Sequence, residues 1–197
     1  MDHVVLMVPG IGDSDQGHWQ SIWERESVNY HRVGQKDWDN PTLNAWLKSL
    51  SEHVAAADKP LFLVAHSLGC ALVAHWAARQ TTADLSHPSS IRGAVLVSPG
   101  DIDAPNPMTS QIRSFVPMPL SSLVFPSIVV ASDDDQWVKE ERARYFAECW
   151  GSEFVSAGSQ GHITTSTGHG EWTEGRKMLS DFVADQMIQN GDEQKQN

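Results

Sequence analysis

Cysteine is scarce: Cys70 and Cys149 are the only two in 197 residues. They share no C-x-x-C spacing and are too few for a disulfide framework. The expectation is a reducing, cytoplasmic setting with both thiols buried. Cations are also few, 14 Lys and Arg against 25 Asp and Glu, for a formal charge of −11. Phosphate backbones and anionic lipid surfaces attract positive charge, so neither nucleic acid nor membrane is expected as a partner. The first residues, "MDHVVLMVPG", hold an apolar run of only about six residues without a basic leader, against the roughly 20 of a membrane span. They read as a first strand. No internal repeat and no linker-like stretch divides the chain. The length fits a single domain over 1–189, with the polar ending "NGDEQKQN" (190–197) expected as a disordered tail.

What is present alternates. Val4 to Val8 is a short, valine-rich run stopped by Pro9-Gly10, as in a strand buried on both faces. Leu61 to Ala65, Ile91 to Val97 and Ser127 to Ala131 repeat that pattern; Val28 to Val33 and Glu153 to Ser156 are weaker versions. Between them lie helical patterns: one starting near Gly17-His18, one starting at Asn40-Pro41, an almost uniformly apolar one over Leu68 to Arg79, then Val138 to Trp150 and Trp172 to Ile188. Residues 99–126 are rich in proline and read as a long loop with one short helix near Thr109 to Phe115. Strands alternating with helices specify an α/β fold: a mainly parallel sheet of about five or six strands with helices on both faces. In such sheets functional residues gather on loops at the carboxyl ends of the strands.

One such end is "FLVAHSLGCA", Phe62 to Ala71. Ala65-x-Ser67-x-Gly69 fits the small-x-Ser-x-small pattern of a nucleophile elbow, with a buried strand before it and a buried helix after it. The competing reading makes Ser67 a helix cap. A serine hydroxyl needs a base, and the base needs an orienting acid, in chain order Ser, acid, His. "ASDDDQWV" after the fourth strong strand offers Asp133, Asp134 and Asp135. Asp135, with Val138 three residues on and the farthest reach along the loop, is the expected acid, and Asp134 the alternative. "SQGHITTSTGHGEW" offers His162 and His169; His162, after Gly161 and nearer the last strand, is the expected base, with His169 anchoring the loop. His66 reads as a support beside the nucleophile, His75 as a core residue, and His3, His31, His53 and His87 lack a partner pattern. The oxyanion donors expected are the backbone N–H groups of Leu68 and, from the glycine-bearing loop "PGIGDSDQGHW", of Ile11. That loop has neither G-x-G-x-x-G nor G-x-x-x-x-G-K, so it is not read as a phosphate cradle. Trp19, Trp38, Trp137 and Trp172 fall near loops and compete between lining an apolar acyl pocket and packing the core.

Taken together, "VPGIGDSDQGHWQSIWE", "AHSLGC", "VSPGD", "ASDDDQWV" and "GHITTSTGHGEWTEG" resemble the small α/β-hydrolases related to retinoblastoma-binding protein 9, from Val8 to Gly175. The resemblance implies a compact doubly wound sheet without a large lid domain, and a triad at Ser67, Asp135 and His162. One departure is Thr164, two residues after His162, where relatives often carry Asn; it bears on a loop contact and not on the triad. The expected function is a serine hydrolase of carboxylesterase type acting on small acyl esters through an acyl-enzyme, with no metal or organic cofactor. The rival from another class is a protein-interaction module using the acidic surface and the 99–126 loop. A complete Ser/Asp/His set argues against that rival, since a binder needs none of it.

Overall fold

A computed structural model describes residues 3–80, 91–105 and 107–193, with only the backbone of 190–193. Six strands form one sheet: β1 (Val4–Val8), β2 (Tyr30–Arg32), β3 (Leu61–His66), β4 (Ile91–Val97), β5 (Ser127–Ala131) and β6 (Glu153–Ser156). Their order is β2-β1-β3-β4-β5-β6, and every neighbouring pair is parallel. The helices are α1 (Trp19–Glu26), α2 (Leu43–Ala55), α3 (Leu68–Ala77), α4 (Glu140–Trp150) and α5 (Thr173–Glu193).

Central β3 shows why these runs carry no polar alternation. All six of its residues are buried, because both faces are covered. Leu61, Leu63 and Ala65 join the larger core with α2, α3 and α4, through Trp46, Leu72 and Phe146. Phe62 and Val64 join the smaller core with α1 and α5, through Trp19, Trp23, Leu179 and Val183. Burying each such aliphatic or aromatic side chain is worth roughly 1.5–3 kcal/mol. The uniform apolarity of α3 has the same cause: every residue from Leu68 to Ala77 is buried.

Several element boundaries differ from the sequence expectation. The second helix starts at Leu43 and not at Pro41. The Asp37 carboxylate accepts the N–H groups of Asp39 (3.0 Å) and Asn40 (2.8 Å), which closes a turn there, and the Leu43 N–H donates to Ser114 Oγ at 3.0 Å. The short helix expected from Thr109 is only a 3-10 turn at Arg113–Phe115. The fourth helix begins at Glu140, two residues past Val138. Cys149 is half-buried, unlike Cys70. Helix α5 runs to Glu193, so the backbone at 190–193, expected as tail, continues the helix because nothing there breaks its hydrogen bonding as a proline would. Residues 194–197 and His87 lie outside the described residues. Among the described residues, no helix is long and apolar enough to cross a membrane.

Candidate active site

The turn from β3 into α3 is strained. Ser67 has φ 54° and ψ −123°, a conformation that L-residues avoid, and its side chain makes no capping bond to α3. The helix-cap reading of this serine is therefore not what the geometry shows. The turn is possible because the chain packs tightly against it. A Cβ on Gly69 would lie 2.1 Å from the Val8 carbonyl oxygen, and one on Gly10 would lie 2.8 Å from Ser67 Cβ. With glycine at both positions, β1 and its loop press against the elbow, bringing Ile11 beside Ser67 in the same cleft. Leu68 opens α3, so its N–H is one of the first-turn donors that have no acceptor within a helix.

Loops after β5 and β6 meet that elbow. His162 Nε2 lies 2.9 Å from Ser67 Oγ, and His162 Nδ1 lies 2.7 Å from Asp135 Oδ2. Asp135 is 9% exposed and His162 8%, so the contact is shielded from water. Asp135 Oδ1 accepts the Trp137 N–H at 2.8 Å, which fixes the carboxylate. The neighbouring acids do other work. Asp134 Oδ1 accepts Ser132 Oγ–H and the Gly161 N–H, both at 2.6 Å, tying the acid loop to the residue before His162. The Ser132 hydroxyl, followed by that Gly161 N–H, holds the Asp134 carboxyl below its usual range. Asp133 accepts only Ser159 Oγ–H among the described residues, at 2.7 Å.

His66 holds His162 from behind: its Nε2 sits 2.9 Å from the His162 carbonyl oxygen. Burial, then the neighbouring His162 and His18 rings, push its pKa well below the ordinary value, so His66 is a neutral donor. His169 lies apart from Ser67 and pairs with Gln160 Oε1 (2.9 Å) and Thr167 Oγ1 (3.1 Å), within its own loop.

Sequence reasoning passed over Gln20 and Arg32, and did not foresee the indole N–H contact of Trp19, all of which hold this arrangement. Gln20, fully buried, donates to the Val64 carbonyl at 3.0 Å and accepts Ser14 Oγ–H at 2.7 Å, fastening α1 and the β1 loop to β3. Arg32 reaches back from β2 to Asp13 at 2.6 Å and Glu24 at 3.0 Å. Trp19 Nε1–H donates to the Ile163 carbonyl at 2.9 Å, directly after His162. Of the four tryptophans considered for an acyl pocket, only Trp137 lines the cleft. Trp19 is buried, Trp172 stacks on Trp23, and Trp38 packs on Trp46.

The cleft beside Ser67 has a volume of about 330 Å³. Ile11, Ile102, Met108, Ile112 and Trp137 give it an apolar side; Asp13, Asp15, His18, Thr164, Thr165 and Ser166 give it a polar one. Among the described residues, no group of three or more His, Cys, Asp and Glu side chains could hold a metal.

Residues 5–181 match the family model described as serine hydrolase. The chain belongs to the serine hydrolase family. A crystal structure of a protein described as a YdeN-like hydrolase from Pectobacterium atrosepticum is 31% identical, with TM-score 0.80, covering 94% of this chain and 92% of that one. The ydeN gene product of B. subtilis is 20% identical with TM-score 0.71, covering 93% and 100%. The esterase RhEst1 from Rhodococcus sp. ECU1013 shares the fold at 14% identity and TM-score 0.64, covering 93% and 90%. No curated protein sequence matches the chain. The family and the six-stranded parallel sheet together make this a hydrolase of the α/β-hydrolase fold, as the sequence resemblance implied.

Proposed function

We propose that the chain is a carboxylesterase-type serine hydrolase that cleaves small acyl esters through a covalent acyl-enzyme. The single observation that carries this reading is the continuous line from Ser67 Oγ through the His162 ring to Asp135, with contacts of 2.9 and 2.7 Å. In this reading His162 keeps its ring proton on Nδ1, donated to Asp135, so that Nε2 accepts the Ser67 hydroxyl proton as Oγ attacks the ester carbonyl. Asp135 orients the imidazole and stabilises the imidazolium. The oxyanion forms between the N–H groups of Leu68 and Ile11, where each donor is worth roughly 10²–10³ in rate. His162 then hands its proton to the departing alcohol, and a water activated by the same Nε2 releases the acid.

The cleft suits small molecules. Its apolar side, with Ile102 and Ile112 buried, offers a place for an acyl chain, and about 330 Å³ admits a short chain with a small alcohol. A panel of chromogenic esters of increasing acyl length tests the reading. Turnover is expected for short acyl chains, with Ser67→Ala reduced to the uncatalysed background. Absence of turnover across the panel, or a Ser67→Ala protein as active as the wild type, would overturn it.

A further inference from the structure

Packing accounts for glycine at Gly69 and Gly10, but neither packing nor backbone requires it at Gly100. The φ of Gly100 lies outside the left-handed region that favours glycine. A Cβ there would meet no clash. Among the described residues, its chain neighbours aside, the one atom within 4 Å of that Cβ is Ser67 Oγ, at 3.9 Å. Alanine would therefore fit the folded chain, yet its methyl would stand beside the nucleophile in the cleft that Gly100 lines. The backbone is pinned on either side of this position. The Ser98 N–H donates to the Val130 carbonyl at 2.8 Å, and the Asp101 N–H to the Trp137 carbonyl at 3.1 Å. Arg142 holds the Asp101 carboxylate at 3.2 Å. What the absent side chain leaves open is space for a substrate atom.

The two faces of the sheet say which part of the substrate that atom belongs to. His162 reaches Ser67 from the face of the smaller core. Ile163, the next residue, is buried in that core, and the His66 ring beneath His162 packs on Trp19 of the same core, with centroids 5.9 Å apart. The residues that follow Gly100 lie on the other face. Ile102 and Ile112 are buried in the larger core, and Met108 packs against it. All three line the cleft. The leaving group must lie within reach of His162 Nε2, which protonates it, and the oxyanion points at the Leu68 and Ile11 N–H groups. The acyl group takes the direction that remains, away from the base and along the apolar wall that starts at Gly100. With the carbonyl carbon bonded to Ser67 Oγ, the next acyl carbon comes within van der Waals reach of a group 3.9 Å from that oxygen. A substituent on that carbon is what the space at Gly100 admits.

We propose that Gly100 is a specificity-determining residue, and that the space it leaves admits acyl groups branched at the carbon next to the carbonyl. The proposal rests on the ester-hydrolase reading above and names the acyl class of that site. The test compares kcat/KM for para-nitrophenyl butyrate and para-nitrophenyl isobutyrate, isomers that share a leaving group and differ only in that branch. Propyl butyrate and isopropyl butyrate move the branch to the alcohol. The wild type is expected to turn over both nitrophenyl esters. Gly100→Ala should lower the isobutyrate-to-butyrate ratio by about tenfold or more, the scale of one methyl group that finds no room. The isopropyl-to-propyl ratio should stay at its wild-type value. A wild type active on the butyrate but not on the isobutyrate, an acyl ratio unchanged in Gly100→Ala, or an alcohol ratio that shifts as much as the acyl ratio would overturn the proposal. The wild-type nitrophenyl pair decides alone if the variant does not fold. Turnover of none of the four esters would instead bring down the ester reading itself, and this proposal with it.

Discussion

The β3–α3 elbow and the loop after β5 each present consecutive polar residues at a strand end, yet they assign roles to them by different physics. At the elbow the backbone decides. A φ of 54° at Ser67 turns its hydroxyl out toward the cleft, while His66, still in the strand, points back beneath the His162 carbonyl. In the acid loop, partners decide. Asp133, Asp134 and Asp135 have the same chemistry, but only Asp135 is buried, and only Asp135 meets the imidazole. One region depends on steric fit that glycine alone allows, and the other on a hydrogen-bond allocation that any shift of the loop would scramble.

The largest expected effect lies in the acid loop. Asp135→Asn should lower kcat on a short ester by about 10⁴-fold, because the amide favours the wrong imidazole tautomer, while leaving the melting temperature near that of the wild type. A loss smaller than tenfold would mean that the three carboxylates share the role. Next comes the elbow. Gly69→Ala places a methyl 2.1 Å from a backbone oxygen, so urea denaturation should show destabilisation of about 3 kcal/mol or more. Wild-type stability would show that β1 does not press on the elbow as described.

Acid titration separates the two regions. His66 and His18 have folded pKa values pushed below their ordinary value by burial, to about 4 for His18. The unfolded chain therefore takes up protons that the folded one refuses. Stability is complete above pH 6.5 and falls as pH drops from there; His18 alone contributes a loss of about 3 kcal/mol by pH 4. Asp134, whose carboxyl is lowered first by the Ser132 hydroxyl, gives stability that is present above its ordinary value and lost only as pH falls below it. Denaturant midpoints measured from pH 8 to 3 should show the histidine-linked fall in the wild type. Its persistence unchanged in His18→Asn would contradict the assignment. The smallest effect belongs to Asp133→Asn: within about twofold of wild-type activity, as expected of an exposed group with one side-chain contact.

Much of this was legible in the chain because it is local. Strand runs stopped by polar punctuation gave the sheet, and Ser67 announced itself because a strained elbow needs small residues within two positions on either side. Choosing Asp135 over Asp134 depended on reach along the loop, and the structure shows why the two were close: Asp134 also faces the histidine loop, but through the Gly161 N–H. What escaped was non-local. Gln20 and Arg32 look like surface residues of a polar helix and a weak strand, and only the folded chain brings them to Val64 and Asp13. Trp19 and Trp172 sit at element starts, as pocket residues would, yet pack against each other with ring centroids 5.0 Å apart. The helix start at Leu43 was missed because its partner, Ser114, lies 71 residues away.

The central claim is that Ser67 is an activated nucleophile. Intact-protein mass spectrometry after treatment with a fluorophosphonate probe tests it most directly. The account predicts one adduct per chain, mapped to Ser67 by peptide sequencing and absent from Ser67→Ala. An unlabelled wild-type protein, or a Ser67→Ala protein labelled to the same extent, would contradict it.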